Sequence, residues 1–232
     1  MCPVTCISGI DTDIGKTVAT GLMARALVAQ NYSVITQKIV QTGCSGIAED
    51  IQEHRKLMGV PLFPEDTSGL TCPYVFRKPC SPHLAAELAQ ARINLDIITE
   101  ATETLVAKYD HVLLEGAGGL MVPLNREMTF LDYVQKQGYS LILVTSPRLG
   151  SINHTLSALE LAHGRGVEVR GIVYNCYDTS DVEICSDSRK IFSSALEKYE
   201  FLPTIVDMNS IESYQQNNIE LDCLQFFGSK IR

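Results

Sequence analysis

The stretch Gly9-Ile10-Asp11-Thr12-Asp13-Ile14-Gly15-Lys16-Thr17 lies between an apolar run, Val4 to Ser8, and a segment of helical spacing that starts at Lys16. Strand, glycine-bounded loop, Gly-Lys-Thr and helix is an order that leaves few folds open. It gathers free loop N–H groups and a helix N-terminus around one point, and such a point holds phosphate. The Lys ammonium reaches the outer phosphates and the Thr hydroxyl ligates Mg²⁺. The strict spacing needs glycine at position 10, where Ile10 stands, so this loop is one residue longer than the generic pattern. Taken alone, the stretch also fits a glycine-rich turn in front of an ordinary helix. The rest of the chain has to decide.

Short β-branched or apolar runs recur at Val4 to Ser8, Ser33 to Gln37, His111 to Leu114, Ser140 to Thr145 and Val169 to Tyr174, with a weaker one at Phe201 to Val206. Between them, apolar residues fall at helical spacing, as in Val18, Leu22 and Ala26 within Lys16 to Gln30, and Ile97, Ala101 and Leu105 within Leu95 to Lys108. Strands alternating with helices predict an α/β fold: a P-loop NTPase-like parallel sheet with helices on both faces. At 232 residues a single domain spanning 1–232 is expected, with a tail from about 208 to 232 at its periphery, its apolar cluster Leu221 to Phe227 patching the fold or a subunit contact. The glycine- and proline-broken segment from Thr42 to Pro82 reads as loops around one helix, Ala48 to Met58, of the kind that shapes a binding site.

Ligands of such sheets bind beyond the carboxyl ends of the strands. The unusual polar residues fall there: Gly9 to Thr17, Lys38, Glu115, Ser146 to Asn153 and Asn175. A net charge of −8 and a pI near 5.1 argue against nucleic acid or a membrane surface as partner, so an anionic ligand must be met by a few placed cations. Lys16 and Lys38 are the candidates. No apolar run approaches the ~20 residues that span a bilayer, and the N-terminus lacks the basic segment of a signal peptide, so a cytoplasmic protein is expected. The eight cysteines form no CxxC pair and have no zinc-site spacing; reduced thiols are the expectation.

Glu115 ends the apolar run from His111 and precedes Gly116-Ala117-Gly118-Gly119. In a phosphate-loop protein an acid there holds Mg²⁺, directly or through water, and the glycines let backbone approach the nucleotide. Lys38 ends the second run and projects toward the same crevice as Lys16, where two cations would stabilise charge on a transferred phosphoryl group. Asp50, at the start of a helix, reads by itself as a cap or first-turn charge, and Glu49 beside it is an equally plausible acid. Ser81-Pro82-His83 has no third partner for a hydrolytic triad; Ser81 reads as an N-cap with Pro82 in the first turn. Gly150, Ser151 and Asn153 open a helix from Ser151 to His163 whose free N–H groups suit a carboxylate.

Gly9 to Thr17 with its extra residue, Lys38 with Thr42, Pro79 to His83, Glu115 to Gly119, Thr129-Phe130 and Leu149 to His154 together resemble the dethiobiotin synthetase family, in family order and over most of the chain. The resemblance accounts for the odd loop length. It implies ATP- and Mg²⁺-dependent carboxylation and ring closure of 7,8-diaminononanoate with CO2, through a carbamate and a carbamic-phosphoric anhydride. On that likeness Asp13, Ile14, Gly15, Lys16, Thr17 and Val18 bind ATP with Glu115, Gly116, Ala117 and Gly118. Thr17, Asp50 and Glu115 set the metal; Lys38, Lys16 and Thr12 are catalytic; Thr12, Lys38, Thr42 and Ser81 position the substrate. Asn175 and Cys176 lie on the base side. The family is a homodimer with substrate at the subunit interface, so Gly150, Ser151 and Asn153 would serve the partner's substrate.

Two departures from the family pattern stand out. Ile39 follows Lys38 where the family usually has Pro, and Asn175 is followed by Cys176 and Tyr177 before Asp178, where Asp commonly comes next. Asn175 to Asp178 carries the outer residues of a guanine-reading Asn-Lys-x-Asp pattern without its Lys, and the base preference stays open. The rival from another class is a regulatory ATPase of the chromosome-partition or septum-placing kind. Those proteins usually carry an additional Lys near the start of the loop, where this chain reads Gly9-Ile10-Asp11.

Overall fold

A computed structural model describes residues 3–177, 181–217 and 219–228. The chain runs β1 (Val4–Gly9), α1 (Lys16–Ala29), β2 (Val34–Lys38), β3 (Gln41–Thr42), α2 (Glu49–Met58), α3 (Pro64–Thr67), β4 (Val75–Phe76), α4 (Pro82–Leu88) and α5 (Leu95–Val106). It continues through β5 (His111–Gly119), α6 (Phe130–Gln137), β6 (Ser140–Thr145), α7 (Ser151–Gly164), β7 (Val169–Asn175), α8 (Val182–Lys198), β8 (Ile205–Met208) and α9 (Ile211–Asn217).

Six strands form one parallel sheet in the order β2-β5-β1-β6-β7-β8. Adjacent residues of a strand face opposite sides, so a sheet covered on both faces needs continuous apolar strands. Leu113 packs into the layer under α1 with Leu22, Met23 and Leu27, while its neighbour Leu114 packs on the other side with Ile98, Phe130, Leu159 and Phe192. The tail residues Leu221, Cys223, Phe226 and Phe227 are buried in the α1 layer. The fold class expected from the alternating runs is the one observed.

Three elements differ from the sequence reading. β5 does not end at Leu114; it runs on to Gly119, and Glu115 therefore lies inside a strand rather than after one. The weak run at Phe201 to Val206 becomes β8 only from Ile205, because Pro203 has no N–H for a ladder and Thr204 spends its N–H locally on the Leu202 carbonyl at 2.7 Å. The segment after Thr42 holds more than one helix: β3 and β4 pair in parallel, and Asp66 closes the first turn of α3 by accepting from the Phe63 N–H at 2.8 Å. That small second sheet fixes the exit of β2 beside the main sheet.

The connection between β1 and α1 is steric in origin. A Cβ on Gly9 would lie 2.4 Å from the Ile14 Cγ2, and Gly15 sits at φ 100°, a left-handed geometry open to glycine at little cost. Asp13 holds a positive φ of 54° without that freedom. The loop is therefore wrapped tightly over the buried Ile14 side chain.

Candidate active site

Lys38 and Glu115 are register partners across β2 and β5, so their side chains rise side by side at the carboxyl edge of the sheet. Lys38 Nζ lies 2.7 Å from Glu115 Oε1 and donates to the Gly116 carbonyl at 3.0 Å. Asp50, in the first turn of α2, brings Oδ2 to 2.6 Å from the same ammonium. Glu49 is exposed and does not line the cleft that holds this group, which separates the two acids the sequence left equal. Thr17 Oγ1, at the start of α1, donates to Glu115 Oε1 at 3.1 Å.

Burial works against both charges, since a low-dielectric site disfavours ions. Burial alone would raise the Glu115 carboxyl, but the Lys38 ammonium and the His54 N–H outweigh it and hold that carboxyl well below the usual carboxylate range. Lys38 shows the converse: burial would lower it, and the carboxylates of Glu115 and Asp50 raise it above an ordinary lysine. Lys16 has weaker help. Burial and repulsion from Lys38 bring it down to about 8, against the pull of Glu115, Asp50 and Asp13. Its Nζ donates to the Asp11 carbonyl at 2.8 Å.

These groups open into one cleft of about 810 Å³. From the phosphate loop and α1 it takes Thr12, Asp13, Gly15, Lys16, Thr17 and Val18; from the strand ends it takes Lys38, Thr42, Glu115, Ala117 and Gly118. Asp50 and Ser81 complete the other wall. Ser81 sits at the N-cap position of α4, as read from sequence, yet its hydroxyl makes no capping bond and is left to the cleft.

Other residues singled out in the sequence fall elsewhere. Ile14 buries its side chain, and its carbonyl accepts from Asn175 Nδ2 at 3.0 Å. Gly116 lies beside the cleft and contributes its carbonyl to Lys38. Asn175 and Cys176 do not line the cleft, and Asp178 lies outside the described residues. Gly150, Ser151 and Asn153 open α7 as expected but also lie outside the cleft of their own chain, next to the fully exposed Leu149. Ile39, where a proline was the usual residue, uses the N–H that a proline lacks: it donates to the Glu115 carbonyl at 3.0 Å.

A chain matched along most of its length supplies the decisive comparison. A family described as AAA domain matches residues 5–217. An ATP-dependent dethiobiotin synthetase from Chlorobaculum tepidum is 52% identical over 208 residues, covering 89% of this chain and 87% of that relative. A second, from Haemophilus influenzae, is 57% identical over 176 residues, covering 76% of this chain and 92% of the relative. The chain belongs to the dethiobiotin synthetase family. Among solved structures, a ParA family ATPase from Chlorobium tepidum aligns with TM-score 0.52 at 15% identity, over 92% of this chain and 86% of the other. That likeness is one of fold alone, and the partition-ATPase rival gains nothing further from it.

Sequence reading missed His54 and Arg55 in this family site. His54 is fully buried, with Nε2 2.7 Å from Glu115 Oε2, and Arg55 is clamped by Asp66 at 2.8 Å through both Nε and a terminal nitrogen. A signal was present: His54 stands four residues after Asp50, which puts both on one face of a helix.

Proposed function

We propose that this chain makes dethiobiotin from 7,8-diaminononanoate, CO2 and ATP, releasing ADP and phosphate, with the 810 Å³ cleft as its active site. Family membership supports the overall reaction, and one observation carries the site: Lys16 and Lys38 enter the same cleft with Glu115 and Asp50. One amine of the diamine bonds to the carbon of CO2 and loses a proton, giving a carbamate. A carbamate oxygen then attacks the γ-phosphorus as the bond to ADP breaks. Finally the second amine attacks the carbonyl carbon of the mixed anhydride and gives up a proton, the carbon–oxygen bond to the phosphoryl group breaks, phosphate leaves carrying that proton, and a cyclic urea closes.

Each residue acts through charge or a hydrogen bond at a stated place. The N–H groups from Asp13 to Val18 face the phosphates at the start of α1, and Lys16 leaves the Asp11 carbonyl for the outer phosphates. Lys38, already held as a cation, meets the carbamate and the transferring phosphoryl group, where one such donor is worth ~10² to 10³ in rate. Thr12, Thr42 and Ser81 position the diamine. Thr17 Oγ1, Asp50 and Glu115 are hard oxygen donors, few in number, and fit Mg²⁺, which is usually held by one or two carboxylates plus phosphate oxygens and water. When bound, the ion offsets charge on the β- and γ-phosphates.

A homodimer completes this reading: pairing through the exposed Leu149 edge would bring Gly150, Ser151 and Asn153 to the partner's substrate carboxylate. Among the described residues no helix is long and apolar enough to cross a membrane. The test is direct. Protein, Mg²⁺, ATP, bicarbonate and 7,8-diaminononanoate are mixed, and dethiobiotin and diamine-dependent phosphate release are measured. Nucleotide hydrolysis that ignores the diamine, with no cyclic urea formed, would overturn the proposal in favour of a nucleotide switch.

A further inference from the structure

The inner side of Glu115 is held by a chain of hydrogen bonds that the reaction steps leave unused. His54 Nε2 lies 2.7 Å from Glu115 Oε2, and its Nδ1 lies 3.0 Å from Thr36 Oγ1. The same Thr36 oxygen accepts from Arg55 at 2.7 Å, and Arg55 is fixed by its two 2.8 Å bonds to Asp66. Every member is buried.

The partners fix the direction of the two outer bonds. A guanidinium only donates, so the Thr36 oxygen is an acceptor toward Arg55. An unprotonated Nε2 would set a lone pair against a carboxylate oxygen, so Nε2 carries the proton and donates to Glu115. In the singly protonated ring Nδ1 is the acceptor and takes the Thr36 hydroxyl proton; in the doubly protonated ring it donates to the same oxygen, and the contact holds either way. The imidazole cannot flip without breaking both contacts at once. Glu115 in turn has its oxygens divided: Oε2 is tied inward by His54, and Oε1 faces Thr17 and Lys38.

We propose that His54 is a positioning residue that pins Glu115 so that Oε1 alone faces the cleft, presenting one fixed oxygen to the divalent cation beside the nucleotide. The proposal rests on the metal role given to Glu115 above. Outer groups that orient a metal-ligating carboxylate typically cost 10- to 100-fold in metal affinity, roughly, when removed. A buried imidazole that merely filled space would make no such distinction between its two nitrogens.

Two substitutions separate the nitrogens. A glutamine amide reaches the place of Nε2 and can still donate to Glu115, whereas an asparagine amide reaches only the place of Nδ1. Mn²⁺ is titrated into the full-length protein with a non-hydrolysable ATP analogue, and free Mn²⁺ is read by electron paramagnetic resonance. Thermal unfolding is recorded alongside. His54→Asn is expected to weaken Mn²⁺ binding about 10- to 100-fold, with the apparent KM for Mg²⁺ rising in parallel, while His54→Gln stays close to the parent. Equal losses in the two variants, no loss in either, or a larger loss in His54→Gln would each overturn the proposal. Should His54→Asn fail to fold, Thr36→Val removes the hydroxyl that holds Nδ1. It should weaken Mn²⁺ binding in the same direction and by less, and unchanged binding would count against the inference. A parent protein that forms dethiobiotin yet binds Mn²⁺ no better with nucleotide than without would sink the metal assignment itself, a failure separate from that of His54.

Discussion

The two ends of the sheet's carboxyl edge are built differently. Where β2, β5 and α2 meet, Lys38, Glu115, His54, Arg55 and Asp66 are all buried, and each has a charged or hydrogen-bonding partner. Where β7 and β8 end, Asn175 and Cys176 are half-buried, and the Arg189–Asp207 ion pair is open to solvent. Buried charges tolerate little change, because an unpaired ion in a low dielectric is costly; exposed polar contacts tolerate much more. The departures from the family pattern divide accordingly. Ile39 alters the buried end without removing a cation, while the residues after Asn175 change the open end outright.

Breaking the buried end should give the largest effect. Arg55→Met leaves Asp66 uncompensated in the interior, and a stability loss of about 3 to 5 kcal/mol is expected by denaturant unfolding. A change below about 1 kcal/mol, the range of an exposed pair, would erase the contrast between the two ends. Lys38→Ala comes next. It removes the cation between Glu115 and Asp50, so turnover should fall by roughly 10² to 10³, while nucleotide affinity is spared because Lys16 and the loop N–H groups remain. Turnover within a few-fold of the parent would take Lys38 out of the chemistry.

The contrast also explains what was legible in the sequence. Lys16, Lys38 and Glu115 were readable because each stands at the border of an apolar run and a polar loop, where periodicity breaks. The sheet was readable for the same reason, its strands being continuous apolar runs between glycine-rich turns. β5 was read too short because Gly116, Gly118 and Gly119 have no side chains to show alternation, although their backbone continues the ladder. The two-residue strands β3 and β4 are too short to carry any period. His54 and Arg55 were hidden differently: inside a helix, polar residues read as a solvated face until the fold shows that this face meets β2 and β5. The choice between Glu49 and Asp50 needed the same information, since it depends on which way the first turn of α2 points.

A pH series probes the join between the two ends, where Lys16 lies. Its ammonium is brought down to about 8 in the free protein, whereas an ordinary lysine titrates above 10. Binding a polyanion favours the charged form, so the nucleotide complex holds more protons at pH 8 to 9 than the separate partners. Affinity should therefore be nearly flat below neutrality and fall as pH rises through 8, by up to about tenfold per unit once the free lysine is neutral. Calorimetry of ATP binding in two buffers of different ionisation enthalpy, at pH 8.5, should register proton uptake. Proton release, or an affinity that rises across this range, would contradict the assignment of Lys16 to the phosphates.

The open end should give the smallest and most diagnostic effect. Asn175 Nδ2 donates to the Ile14 carbonyl at 3.0 Å, and its Oδ1 accepts from the Tyr177 N–H at 3.2 Å, so both ends of the amide are already committed to backbone. A side chain spent in this way braces the phosphate loop, and its loss acts on the phosphates that every nucleotide shares. Asn175→Ala removes one neutral hydrogen bond, worth about 0.5 to 1.5 kcal/mol, so ATP, GTP and CTP affinities should each drop roughly two- to tenfold and by the same factor. If the amide instead turns out to meet a base, ATP alone should weaken and the ratio among the three nucleotides should move. Competition binding with the three triphosphates reads that ratio directly. An unchanged ratio would place base choice on residues other than Asn175.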